Sequence, residues 1–200
     1  MALYYVATTA SGSTITGTKA SGASSSQSGV AFGATGLLAA DCYPNIGAVL
    51  SGNTIAAGDT IYCSDLHSID YAATTTFTGP TGFPSYIVSV DDTSAGVYKT
   101  GAEEKATGNS DLTLSKVWQI EGMVFEAGDD FLMSQSDSSL LMKDCTVTLT
   151  SQFAAFNLTG FGMSVRLEDC TLNFNHARIW FAVGGGVNVG FEMIGGIIAT

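Results

Sequence analysis

Leu140-Leu-Met-Lys-Asp-Cys-Thr-Val-Thr-Leu149 and Val165-Arg-Leu-Glu-Asp-Cys-Thr-Leu-Asn-Phe174 can be written one beneath the other. The tripeptide Asp-Cys-Thr recurs at 144–146 and 169–171, a step of 25 residues. A third segment, Val117-Trp-Gln-Ile-Glu-Gly-Met-Val-Phe125, joins them when Gly122 is matched to Cys145, a step of 23. Val189-Gly-Phe-Glu-Met-Ile-Gly-Gly-Ile-Ile198 is a weaker fourth copy. Further apolar runs fall between the copies, at 131–133, 153–156 and 179–183. Each repeat therefore holds at least two short strands and two turns.

A period of this length with several strands per repeat predicts a solenoid. The fixed Leu/Asn consensus of leucine-rich repeats is absent, and helical repeats need apolar spacing of three and four. What remains is a coil of β-rungs stacked at about 4.8 Å, in which no rung buries its apolar face alone.

Upstream of Lys116 the pattern is less regular. Leu3–Val6 reads as a strand, and residues 10–29 as a Gly/Ser/Thr-rich loop. Residues 36–51 are the best helix candidate, kept short by Pro44. Ala57-Gly-Asp-Thr-Ile-Tyr-Cys63 joins a turn to a β-branched and aromatic run. A turn follows at Pro80 and Pro84, then a strand at Tyr86–Val90. Residues 100–111 read as a polar loop. The division expected is an entry strand, loop and short helical cap over 1–58, and stacked rungs over 59–200.

The composition agrees with strands and turns. Only 12% of the 200 residues are charged, about half the usual share, while 46% are hydrophobic and 24 are glycine. Polarity resides in Ser, Thr, Asn and Gly, which suit strands and turns better than exposed helical faces. Seven basic residues against a net charge of −11 exclude a phosphate-tracking stripe, and with it nucleic-acid binding. They also argue against anionic membranes and against a basic groove for polyanionic substrates. The start, Met1-Ala-Leu-Tyr-Tyr-Val6, lacks a basic n-region and a long apolar h-region, and no run reaches membrane-spanning length. Folding in a reducing cytoplasm is the expectation, with the four cysteines as buried thiols.

Three features resemble the pectate-lyase-like superfamily of right-handed parallel β-helix proteins, in the form found among phage virion proteins. Tyr4-Tyr-Val6 before a Gly/Ser/Thr loop is similar to the entry strand. Ala57-Gly-Asp-Thr-Ile-Tyr62 is similar to the first-rung motif. The Asp-Cys-Thr and Glu-Gly-Met copies resemble the rung turns. The resemblance implies an all-β right-handed parallel β-helix, and a fold that hosts lyases, hydrolases, adhesins and particle proteins alike.

The family's polysaccharide lyases imply a basic proton abstractor with calcium-holding carboxylates. Arg166 and Arg178 are the only arginines. Arg166 alternates with Val165 and Leu167, so it should point outward as an ordinary solvated side chain. The family's glycoside hydrolases imply clustered carboxylates. Asp91-Asp92, Glu103-Glu104 and Asp129-Asp130 are the adjacent pairs, but neighbours on a strand point apart, and turn capping is the preferred reading. The alignment piles Glu121, Asp144 and Asp169 in one column. Their repulsion calls for compensation by a cation, by turn amides, or by Lys143 lying diagonally beneath Glu168; turn capping is again preferred. Cys145 and Cys170 should also stack, at a separation that permits a disulfide on distance alone, though a thiol ladder is expected in a reducing compartment. Cys42 and Cys63 lack metal-site spacing. His176 is isolated, and His67 reads as a hydrogen-bonded structural histidine rather than half of a Cys–His nucleophilic pair. Gly184-Gly-Gly186 reads as a turn, not a phosphate loop.

No catalytic, cofactor or metal residues are therefore expected. Two further features bear on partners. The expected entry strand begins almost at Met1, whereas tail spikes usually carry a particle-binding domain ahead of the β-helix; this favours a protein that sits directly on the capsid or particle over a tail spike. Ile197-Ile-Ala-Thr200 stops mid-rung, so either the natural chain continues or a partner covers the end. The expected role is non-enzymatic: a capsid decoration or head-surface protein of a tailed-phage virion. It would bind the major capsid protein or other virion proteins, form a homo-oligomer such as a trimer, and bind neither nucleic acid nor membrane. The alternatives are a tail spike or polysaccharide-degrading enzyme, and a host-surface adhesin that binds carbohydrate.

Overall fold

The computed structural model describes residues 2–7, 9–10, 13–14, 42–91, 97–133, 135–151, 155–175, 181–183 and 189–199. Strand β1 (Leu3–Val6) is followed by the antiparallel pair β2 (Thr9–Ala10) and β3 (Ser13–Thr14), then by helix α1 (Ile46–Gly52). From there strands arrive in threes. The first set is β4 (Thr60–Ser64), β5 (Ser68–Asp70) and β6 (Thr75–Thr78), and the second is β7 (Ser85–Val90), β8 (Glu103–Ala106) and β9 (Leu112–Ser115). Next come β10 (Val117–Glu121), β11 (Val124–Ala127) and β12 (Phe131–Met133), then β13 (Ser139–Lys143), β14 (Thr146–Leu149) and β15 (Phe156–Leu158). The last are β16 (Ser164–Glu168), β17 (Thr171–Phe174), β18 (Phe181–Val183), β19 (Gly190–Ile194) and β20 (Ile197–Ala199).

Every third strand joins the same sheet. Among the described residues, seven strands form the order β1-β4-β7-β10-β13-β16-β19, six form β20-β17-β14-β11-β8-β5, and five form β18-β15-β12-β9-β6. All neighbours in these three sheets are parallel. The chain is mainly β, in parallel sheets. No helix among the described residues is long and apolar enough to cross a membrane.

Parallel sheets are usually covered on both faces and read as continuous apolar runs. These strands alternate instead: β10 and β13 bury every second residue. The buried set of all three sheets forms one core, from Ile61 and Phe77 through Trp118, Phe125 and Phe131 to Leu167 and Leu172. Phe131 packs on Phe156 with ring centroids 5.2 Å apart, and Phe156 on Phe191 at 6.0 Å, so aromatic rings run across successive strands of two sheets. Fully burying one such side chain contributes roughly 1.5–3 kcal/mol.

Helix α1 begins just after Pro44, and the Asn45 side chain caps it by accepting from Ala48 N–H at 2.7 Å. Ile46 and Val49 enter the common core. The helix packs on β6 and β1, the end strands of their sheets. The part of the helix candidate at 36–41 lies outside the described residues, as does most of the loop at 10–29.

Two expectations need correction. Residues 100–111 are not simply a polar loop: Glu103–Ala106 is strand β8, with Glu104 and Ala106 facing the core and Glu103 and Lys105 facing outward. The second concerns register. Glu121 pairs with Lys143, and Lys143 with Glu168. The residues that follow, Gly122, Asp144, Asp169 and Gly195, make the next column, each with positive φ, at 72°, 51°, 50° and 67°. The step from the third copy is thus 22 residues, not 23. It follows the left-handed turn position, which glycine adopts freely and aspartate tolerates better than most residues.

Candidate functional site

The outer face of the seven-stranded sheet carries a column of side chains fixed by register: Tyr86, Gln119, Leu141, Arg166 and Glu192. Two shallow grooves lie along it. One of about 420 Å³ runs past Pro84, Gln119, Asp137 and Leu141; the other, about 460 Å³, runs past Gln119, Leu141, Arg166 and Glu192. Arg166 points outward, as its alternation with Val165 and Leu167 requires. Its Nε donates to Glu168 Oε1 at 2.7 Å and its Nη1 to Glu192 Oε2 at 3.2 Å. Both carboxylates take up its donor fork, so the guanidinium ties neighbouring strands together.

The column proposed for Glu121, Asp144 and Asp169 does not form. Glu121 accepts instead from Lys143 Nζ at 2.9 Å, which holds the ammonium above its ordinary pKa. Asp144 and Asp169 stack one position further on, at the turn. Tyr98 lies over this corner: its hydroxyl bonds Asp144, and burial, followed by the charges of Asp144 and Glu121, raises the phenol well above its usual range. Among the described residues no group of three or more His, Cys, Asp or Glu is placed to hold a metal ion.

Asp130 caps the following repeat. Its Oδ1 accepts from Ala155 N–H at 2.7 Å and its Oδ2 from Asn157 Nδ2 at 3.1 Å. Asp111 does the same one strand earlier, accepting from Asp130 N–H at 3.1 Å. Both are therefore rungs of one ladder of side chain to backbone bonds, as turn capping predicts. Burial, then Asp130 and Asp111, raise the Asp129 carboxyl above the usual range. Glu103 and Glu104 point to opposite faces, as sequence neighbours on a strand must.

The most unusual polar cluster is inside the core. His67 Nε2 lies 2.9 Å from Glu104 Oε1, and both side chains are fully buried. The same oxygen accepts from Ile46 N–H of α1 at 3.0 Å. Tyr71 hydroxyl accepts from Gly47 N–H at 3.2 Å; burial and then the charge of nearby Glu104 push its phenol far up. Burial, reinforced by Glu104, also raises the Cys63 thiol well above its usual value. His67 Nδ1 and Glu104 Oε2 have no partner among the described residues. His67 is thus the hydrogen-bonded structural histidine expected, but Glu104 was missed. Its only signal was the alternation Ala102, Glu104, Ala106, small residues on either side of an acid on one face.

Cys145 and Cys170 lie on neighbouring strand junctions, flanked by the register pairs Lys143–Glu168 and Thr146–Thr171. Both are buried free thiols. Cys63 faces the common core, whereas Cys42 belongs to a small separate cluster with Tyr5, Ala7 and Val90. Asp92, His176, Arg178 and residues 184–186 lie outside the described residues.

Comparison of the chain with family models, with curated proteins and with solved structures returned no match.

Proposed function

We propose that the three parallel sheets are the faces of a right-handed parallel β-helix of the pectate-lyase-like type. Its role is that of a non-enzymatic structural protein of a tailed-phage virion, coating or cementing the head as an oligomer. What supports the helix is the recurrence of strands in threes, one to each parallel sheet in turn. Right-handedness follows from the strong bias of parallel crossover connections. The virion assignment rests on the resemblance of Tyr4-Tyr-Val6, Ala57–Tyr62 and the Asp-Cys-Thr turns.

The observation that carries the non-enzymatic reading is how the exposed and turn ionisable groups are used. Arg166, Lys143 and Asp130 each bond neighbouring strands to one another, so their chemistry serves cohesion. A rigid surface built this way binds by shape, and a stable docking contact needs about 800 Å² per partner. Quantifying the protein in purified particles tests the assignment. A fixed ratio to the major capsid protein supports it; a single complex per tail overturns it.

The groove past Gln119, Leu141, Arg166 and Glu192 favours a second reading, carbohydrate contact by a tail spike or adhesin. Release of reducing ends from host polysaccharide, abolished by R166A, would establish that reading in place of the first.

A further inference from the structure

Two thiols from residues 25 positions apart sit together at the corner between the seven- and six-stranded sheets. Cys145 and Cys170 each follow a left-handed aspartate and precede a strand paired in register with the other's. Thr171 N–H donates to Cys145 carbonyl at 2.8 Å, which pins the two backbones side by side. Cys145 Sγ lies 3.2 Å from the Lys143 carbonyl oxygen, and Cys170 Sγ 3.3 Å from that of Glu168, so the side chains turn the same way. Equivalent residues on neighbouring parallel strands stand about 4.8 Å apart at Cα, inside the range that disulfides span. The other two thiols are not so placed: Cys42 and Cys63 belong to different clusters of buried residues.

We propose that Cys145 and Cys170 form a reversible disulfide between successive repeats, made by exchange with a small-molecule disulfide and undone by millimolar thiol. The exchange balances without another reactant. Cys170 thiolate attacks the reagent's S–S bond, forming a mixed disulfide and releasing one small thiolate. Cys145 then attacks the Cys170 sulfur of that mixed disulfide, closing the protein bond and releasing the second small thiol. Overall, two protein thiols are oxidised and one small disulfide is reduced to two thiols.

The order of attack follows from the surroundings. Burial pushes the Cys145 thiol up, whereas a hydrogen bond from Cys145 draws the Cys170 thiol down. Reversibility follows from the parallel stacking. Side chains that leave parallel strands side by side keep their Cβ atoms near the Cα spacing, about 1 Å beyond the usual Cβ separation of a disulfide. Closing the bond draws the strands together and stores strain, and strained disulfides are the easily reduced ones. Both thiols are buried, so the exchange proceeds through local opening of the corner beside Asp144, whose side chain is about one-third exposed.

The test is incubation of the intact chain with oxidised glutathione, followed by alkylation, intact mass and peptide mapping. The expected product has lost two hydrogens, carries a single Cys145–Cys170 link, and returns to the dithiol in millimolar reduced glutathione. In C145S, glutathione should remain trapped on Cys170 at a rate at least several-fold above that on Cys145 in C170S. Mixed disulfides that persist on wild-type protein, a link involving Cys42 or Cys63, or no reaction over days would overturn the proposal. Equal trapping rates in the two variants would overturn the assigned order of attack.

Discussion

Gly122 and Asp144 hold the same position on neighbouring strands, and both keep the backbone left-handed, at φ 72° and 51°. Each amide donates to the strand beyond, Gly122 N–H to Lys143 carbonyl and Asp144 N–H to Glu168 carbonyl, both at 3.0 Å. The two sites differ in what lies above. A Cβ on Gly122 would come within 2.7 Å of the Tyr98 ring. The repeat therefore permits aspartate at 144 but not at 122. Thermal unfolding should show D144G close to wild type and D144V lower by about 1–2 kcal/mol, the cost of a β-branched residue in this region. G122D should be destabilised although it copies the next repeat; if it is neutral, the Tyr98 contact is not limiting.

The His67–Glu104 pair makes a different prediction. Removing one member of a buried pair leaves the other without compensation, which typically costs about 3–5 kcal/mol. Urea unfolding of E104A should show a loss of that size, since His67 Nε2 and Ile46 N–H both lose their acceptor. The double variant H67F/E104L replaces the pair by apolar volume and should lose clearly less than the two single changes added together. Simple additivity would mean that the two side chains act independently.

Asp129 gives a pH dependence with a definite sign. Its carboxyl is raised by burial, then by Asp130 and Asp111, so the folded chain holds that proton more tightly than the unfolded chain. Ionisation therefore penalises the folded state above the raised value, and the penalty disappears below the ordinary carboxylate value. D129N should raise the melting temperature at neutral pH, and the gain should shrink to nothing on acidification. A gain that persists in acid would place its origin elsewhere.

Arg166 is half exposed, and exposed ion pairs contribute little. R166A should change stability by less than about 1 kcal/mol, and that small difference should vanish in high salt. A loss of several kcal/mol would show that the Arg166–Glu192 link does more than join two exposed strands.

The sequence made the later repeats legible because Asp144-Cys-Thr146 and Asp169-Cys-Thr171 share a register. It hid the third strand of each repeat. Glu121 and Val124 belong to different sheets, yet only Gly122 and Met123 separate them, so β10 and β11 read as one apolar segment. A polar loop marks a turn when several residues are exposed; here one left-handed residue makes the corner. The same brevity caused the one-residue error that set Glu121 beside Asp144. Aligning apolar neighbours matched Gly122 to Cys145, whereas the backbone aligns residues able to take positive φ. Glu104 was hidden for another reason. Its partner His67 is 37 residues away, and the strand between Ala102 and Thr107 has no β-branched residue to announce it.

The in-register stacking of equivalent positions is the claim on which the rest depends. Spin labels on cysteines introduced at Tyr86 and, in turn, at Leu141, Arg166 or Glu192 measure it by electron paramagnetic resonance. The separations should grow by about 4.8 Å per strand, reaching about 19 Å for Tyr86 to Glu192, four strands along the sheet. Separations that do not increase in that order, or a Tyr86–Glu192 distance far from that value, would contradict the stacked architecture.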